Sequence, residues 1–323
     1  MKKFLQKNDI MSFWILAILL SILLIPAFIA VDNKYPDTFK EVDKITQGKG
    51  YNTNIVYSVP IVGKVKGGLC WIFMLLVLPF TASLSAMIMA SITKGKDGLK
   101  ELFSRFRFWA PDIGWKKGIK IWLQAIGVLL FINMLNSVML NWEAEVPKGD
   151  LFTFNSVYGF REMVFIFITS LFFDGGGLME EVGWRGFALP RLQKKFTPLK
   201  ASIILGLIWA IWHMPVKISQ VNPFSDLAGF LFFYLIFSII CILFTIVIVY
   251  FYNRLGGSIL VAIAIHGMIN DSAGIQRIFN APGLEITGSM ATFIHIIPFL
   301  VAALIILYID PNLGLKRTGV EKV

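Results

Sequence analysis

The chain contains a series of long apolar runs, and these limit its possible folds more than any other feature of the sequence. An α-helix needs about 20 mainly apolar residues to cross a bilayer. On that criterion we predict about eight spanning segments, near residues 11–31, 69–92, 119–140, 163–189, 198–215, 227–252, 258–273 and 290–309. Because unpaired backbone groups are costly in lipid and the runs are continuous, we predict an all-α fold rather than a β-barrel.

The composition agrees with a polytopic membrane protein. The 323 residues are 56% hydrophobic and 15% charged, a balance that is not expected of a water-soluble domain. The formal net charge of +10 lies in short clusters between the apolar runs, which indicates topology signals and no nucleic-acid partner. We find no internal repeat or linker, so we expect one membrane domain to fill residues 1–323.

Lysine and arginine are unevenly distributed between the predicted loops. The loop 94–117 and the segment after Arg185 are rich in them, whereas the loops 141–160 and 217–226 contain few. Short loops with an excess of basic residues stay in the cytoplasm. We therefore expect both termini to be cytoplasmic.

Few ionisable side chains fall inside the predicted spans, and each of them marks a candidate functional site. The candidates that we single out are Glu180, Glu181, Arg185, His213, His266 and His295. Glu181 and Arg185 are four residues apart and can pair on a helix, while Glu180 points about 100° away from that pair. We interpret Glu181 and Arg185 as a structural pair, and His295 as a hydrogen-bond partner between helices.

The remaining polar residues are predicted to reach similar depths. His266 and Asn270 are four residues apart, so they project from one face of a helix. Depths are counted from predicted helix ends at Pro190, Pro198 and Ser258. From the cytoplasmic side, Glu180 lies roughly 15 Å deep, His213 about 22 Å, His266 about 12 Å and Asn270 about 18 Å. The sequence therefore predicts one buried polar site and an enclosed cavity near mid-membrane.

Two kinds of chemistry suit this set of residues. A buried glutamate beside a histidine can take a proton from water as a general base, and histidine with asparagine can donate to a developing oxyanion. Alternatively, Glu180, His213 and His266 form a one-carboxylate, two-imidazole set of the kind that catalytic Zn²⁺ prefers. The residues leave both alternatives open, because the compact H-E-x-x-H arrangement is absent.

Three short motifs carry a resemblance to a known family. They are "EEVGWR" at 180–185, "WAIWH" at 209–213 and "HGMIN" at 266–270. In this order on successive helices they resemble the EExxxR, FxxxH and HxxxN motifs of the CPBP intramembrane proteases. That family includes the type II CAAX prenyl endopeptidases and the bacteriocin-processing or bacteriocin-immunity (Abi-like) proteins. The resemblance covers a core near 160–273, and Trp209 departs from the usual phenylalanine.

The resemblance implies roles for these residues. Glu180 is expected to be the water-activating base, His213 to assist it or bind metal, and His266 with Asn270 to stabilise an oxyanion. We expect an intramembrane endopeptidase, metal- or glutamate-dependent, in a bacterial plasma membrane. Its substrate would be a membrane-associated peptide or protein, such as a CAAX-type tail, a pheromone or a bacteriocin leader.

Two other functions are consistent with the sequence. A non-catalytic immunity or regulatory membrane protein could keep the fold and bind a partner, but it would not need Glu180. A proton-coupled transporter could relay protons through Glu180 and the histidines, although the chain lacks the internal repeats that many transporters have.

Overall fold

The described part of the computed structural model is almost entirely helical. It comprises residues 2–46, 53–143, 159–217, 223–270 and 288–315. The α-helices are α1 (Lys2–Lys7), α2 (Asp9–Lys34), α3 (Thr38–Ile45), α4 (Ile55–Val62), α5 (Gly68–Phe103), α6 (Trp115–Glu143), α7 (Phe160–Phe173), α8 (Gly175–Glu181), α9 (Leu189–Lys195), α10 (Pro198–Lys217), α11 (Leu227–Arg254), α12 (Ile259–Ile269) and α13 (Gly288–Ile309). A 3₁₀ turn spans Pro111–Ile113, and a π-helix spans Val182–Ala188.

Five of these helices are long and apolar enough to cross a membrane, namely α2, α5, α6, α10 and α11. The apolar stretches Ile259–Ile269 and Ile296–Ile309 are shorter. The prediction of an all-α, polytopic membrane protein is thereby confirmed for the residues that the structure describes.

The predicted span 163–189 is not one continuous helix. Asp174 adopts an extended backbone conformation between α7 and α8, with φ −68° and ψ 132°. There the Gly175 N–H donates to the carbonyl of Thr53 at 2.8 Å instead of continuing the ladder of α7. The Asp174 side chain then accepts the N–H of Gly177 and caps α8. The span is therefore divided near its middle.

The expected helix end at Pro190 was also wrong. The π-helix Val182–Ala188 leads directly into α9, which continues to Lys195. Pro190 lies in the first turn of α9 and does not end the helical segment. By contrast, the start of α10 at Pro198 and the cap of α12 by Ser258 are confirmed, and the Ser258 hydroxyl accepts the N–H of Val261 at 3.3 Å.

Aromatic contacts fix the π-helix against α2. The ring of Phe13 lies 5.3 Å from that of Trp184, edge to face, and 5.2 Å from that of Phe187. All three side chains are fully buried. The indole N–H of Trp14 donates to the carbonyl of Ile208 at 3.0 Å and ties α2 to α10. The core therefore centres on the segment that follows Glu181.

Asn54 lies in the first loop, which connects α2 to α5, and it contacts α7. Asn54 caps α4, and its amide donates to the carbonyl of Ile166 at 3.1 Å and to the Thr169 hydroxyl at 2.7 Å. Asn54 also forms an isolated antiparallel bridge with Asp174. The loop thus pairs with the backbone at the break between α7 and α8.

Replacement of Gly206 by alanine tests the close approach of α10 to α11. A Cβ at Gly206 would lie 2.6 Å from the Cα of Ile242, so the two helices must move apart. We expect Gly206→Ala to destabilise the protein by about 1–3 kcal/mol, seen as a lower midpoint of thermal unfolding in detergent. Gly127→Ala on α6 is the control, because no atom lies within 4 Å of its Cβ position. Equal midpoints for the two variants would contradict this packing.

Candidate active site

One cavity collects the four residues that the sequence predicts as catalytic. Its volume is about 330 Å³, and its wall includes Glu180 from α8, His213 from α10, His266 from α12 and Asn270 directly after α12. The other lining residues are Thr53, Leu75, Pro79, Gly175, Gly176, Trp209, Lys217, Phe237, Ile240, Cys241 and Phe244. The polar groups therefore meet in a largely apolar enclosure.

Glu180 is held by two neutral donors. The indole N–H of Trp209 donates to its Oε2 at 2.9 Å, and that of Trp184 donates to the same atom at 3.2 Å. The side chain is buried. Within the described parts of the chain, Oε1 has no hydrogen-bond partner. The carboxylate is thus oriented through one oxygen, and its other oxygen is available to water.

Glu181 holds a charged cluster on the other side of α8. Its Oε1 accepts from Arg185 Nη1 at 2.7 Å and lies 2.7 Å from His266 Nδ1. Arg185 also donates to the Thr245 hydroxyl of α11 at 3.2 Å. From the sequence we predicted an ion pair between Glu181 and Arg185, and we placed the histidines beside Glu180. The structure shows instead that Glu181 is also the hydrogen-bonded partner of His266.

The hydrogen bonds of the two histidines determine which ring nitrogens remain for chemistry. A carbonyl oxygen only accepts, so His213 Nδ1 must donate to the Trp209 carbonyl, at 2.9 Å. Glu181 is an acceptor beside Arg185, so His266 Nδ1 carries a proton as well. In both imidazoles the Nε2 atom is therefore the one left for the cavity.

Trp209 lies at the centre of this arrangement, and the sequence analysis underestimated it. Its ring centroid is 5.4 Å from that of His213 and 5.2 Å from that of His266. The Arg185 guanidinium lies 4.8 Å from the same ring. Sequence reasoning treated Trp209 as an exchange of one aromatic for another. Its position four residues before His213 was the available signal, because residues four apart share a helix face.

Asp174 is a second residue that sequence reasoning missed. Its Oδ1 accepts from the Asn270 amide at 3.0 Å and from the Gly177 N–H at 2.6 Å. Gly176 permits this contact, because a Cβ there would lie 2.7 Å from Asn270 Nδ2. Aspartate is a preferred N-cap residue, and its position shortly before Glu180 was the available signal.

The alternative of a bound Zn²⁺ stays a prediction. Across the described ranges, no group of three or more His, Cys, Asp or Glu side chains is placed to hold a metal ion. We assign no step of the chemistry to a metal. The prediction for His295 concerns a side chain outside the described residues.

Comparison with known proteins places the chain beside CAAX-type proteases. Residues 159–271 match the family model described as type II CAAX prenyl endopeptidase Rce1-like, and this range contains all three motifs. The chain is 28% identical over 199 residues to CAAX prenyl protease 2 of Methanococcus maripaludis. The aligned region covers 59% of this chain and 68% of that protein. The two findings confirm the resemblance to the CPBP family of intramembrane proteases that the three motifs predict.

Proposed function

We propose that this protein is an intramembrane endopeptidase in which Glu180 activates water to hydrolyse a peptide bond. The observation that carries the proposal is the cavity that combines the Glu180 carboxylate, two imidazoles and the Asn270 amide. The similarity to CAAX-type proteases supports this class of enzyme. The substrate would be a membrane-associated peptide or protein, such as a CAAX-type tail, a pheromone or a bacteriocin leader.

Glu180 is suited to the role of general base. Its donors are uncharged indoles, so they orient the carboxylate without neutralising it as a cation would. In the proposed reaction a water molecule attacks the peptide carbonyl carbon while its proton passes to Glu180. The same proton can then reach the leaving amine as the C–N bond breaks.

His266 and Asn270 would stabilise the oxyanion that forms on the carbonyl oxygen. His266 donates from Nδ1 to Glu181, and in its doubly protonated form the ring can also donate from Nε2. Asn270 uses one amide hydrogen for Asp174 and keeps a second one for the oxyanion. His213 presents Nε2 as an acceptor, so it can assist transfer of the water proton.

We also infer that both termini face the cytoplasm of a bacterial plasma membrane. The support is the clustering of lysine and arginine in alternate loops. A reporter enzyme that is active only in the cytoplasm, fused after Val323, is expected to be active. Activity of a periplasm-specific reporter at the same position would reverse the assignment.

Glu180→Gln tests the proposed base directly. The amide keeps the shape of the side chain but cannot accept the proton, so we expect cleavage to fall about 10²- to 10⁴-fold. The measurement is mass spectrometry of a membrane-tethered peptide library incubated with purified protein.

Glu41→Gln is the matched control, since this exposed glutamate on α3 lies outside the cavity. Thermal unfolding of each variant confirms that the protein remains folded.

A zinc chelator added to the wild-type assay is expected to leave cleavage intact. Full cleavage by Glu180→Gln would instead favour a non-catalytic binding protein, and proton-coupled uptake lost in His266→Ala would favour a transporter.

Trp209→Phe tests the indole hydrogen bond to the carboxylate. Phenylalanine preserves the aromatic contacts with both histidines but removes the donor to Glu180 Oε2. We expect kcat to fall about ten- to a hundredfold with little change in KM, because a charge-assisted hydrogen bond contributes about 1.5–3 kcal/mol. Trp212→Phe is the comparison, since the Trp212 Nε1 has no hydrogen-bond partner in the structure as described. A larger loss in Trp212→Phe would contradict this role.

A further inference from the structure

A second cavity lies away from the candidate active site, where α1 and α2 meet the ends of α5 and α9. Its volume is about 430 Å³, and none of its lining residues belongs to the catalytic cavity. Five cations face it, Lys7, Lys94, Arg191, Lys194 and Lys195, together with two carboxylates, Asp9 and Glu101. Five positive and two negative charges leave the basic cavity with a net charge of +3.

The two carboxylates are already paired. Asp9 Oδ2 lies 2.8 Å from Arg191 Nε, and Glu101 Oε2 lies 2.6 Å from Lys94 Nζ. Lys7, Lys194 and Lys195 are exposed, and none of them forms an ion pair with another residue in the described ranges. The excess positive charge is therefore carried by these three lysines.

Defined contacts build the walls of the basic cavity. The Arg191 guanidinium lies 3.5 Å above the ring of Phe187 and donates to the Phe187 carbonyl at 2.9 Å. The Gln6 amide donates to the Thr93 carbonyl at 2.9 Å and joins α1 to α5. Gly95 interrupts α5 at φ +62°, between Lys94 and its partner Glu101. The lysines thus surround a recess with ordered walls.

The basic cavity lies where α2 and α5 change from polar to apolar surface. Met11 and Ile15 on α2 are 55% and 46% exposed, and Ile92 on α5 is 38% exposed. Met11 is about 3 Å along the helix axis from Asp9. Exposed apolar side chains of spanning helices face lipid tails, so the cavity lies at the level of the lipid headgroups.

We propose that the basic cavity binds the phosphodiester headgroup of an anionic phospholipid. A phosphate of one negative charge complements the unpaired lysines, and each lysine near an anionic membrane surface contributes about 1 kcal/mol. Lysine ammonium groups bind phosphate oxygens through charge-assisted hydrogen bonds. The lipid is the favoured source of this phosphate because the cavity lies beside the membrane, where headgroups are concentrated.

The experiment compares two triple variants with wild type. Lys7→Gln, Lys194→Gln and Lys195→Gln together remove the unpaired charges of the cavity. Lys116→Gln, Lys117→Gln and Lys120→Gln together are the control, because these three lysines are also clustered and exposed but lie at the start of α6, outside the cavity. Apparent dissociation constants for phosphatidylglycerol and phosphatidylcholine are measured by native mass spectrometry of lipid adducts.

We expect the wild type to prefer phosphatidylglycerol, the cavity variant to bind it at least about tenfold more weakly, and the control variant to bind it as the wild type does. Three results would overturn the proposal. Equal losses in both variants would indicate a diffuse charge effect. Equal affinity of the wild type for both lipids would exclude headgroup recognition. Binding of inorganic phosphate alone as tightly as phosphatidylglycerol would indicate a site for a soluble anion.

Discussion

The buried carboxylate of Glu181 joins the elements on which the candidate active-site cavity depends. Its Oε1 is shared by Arg185 in the π-helix and His266 in α12, and Arg185 extends the cluster to Thr245 in α11. Charges removed from water are costly unless they are paired, and removal of one partner leaves the other charge buried alone. The positions of α8, α11 and α12 are therefore mutually constrained by one cluster.

Consecutive residues on α8 consequently lie in different chemical surroundings. Glu181 is fully buried against a guanidinium, whereas Glu180 contacts two indoles and borders the cavity. Two neighbouring carboxylates with different partners can perform different tasks, one structural and one chemical. Trp209 connects the two, because its N–H reaches Glu180 while its ring lies beside Arg185 and His266. This supports the proposed division of roles more directly than helix periodicity does.

Local sequence signals predicted much of the fold. The apolar runs indicated helices, Pro198 and Ser258 marked helix starts, and the motifs identified residues that meet in one cavity. The contact of Glu181 with His266 could not be predicted, because a helical wheel gives directions on one helix but not the position of its neighbour. Glu181 and His266 are separated by 85 positions in sequence, and only tertiary packing brings them together.

The helix break at Asp174 also depends on a tertiary contact that local sequence signals do not predict. This break determines where Glu180 lies. An irregular backbone is tolerated at membrane depth only where protein pairs its polar groups. The first loop supplies that pairing, since the Thr53 carbonyl accepts the Gly175 N–H. Asp174 must then be extended, and α8 begins again from its cap. Glu180 follows six residues later, on the short helix α8. Asp174 caps the N-terminus of this helix, and the ion pair of Glu181 with Arg185 holds its C-terminus. Thr53 of this loop also lines the cavity, so the contact that interrupts the helix brings the loop to the wall of the site.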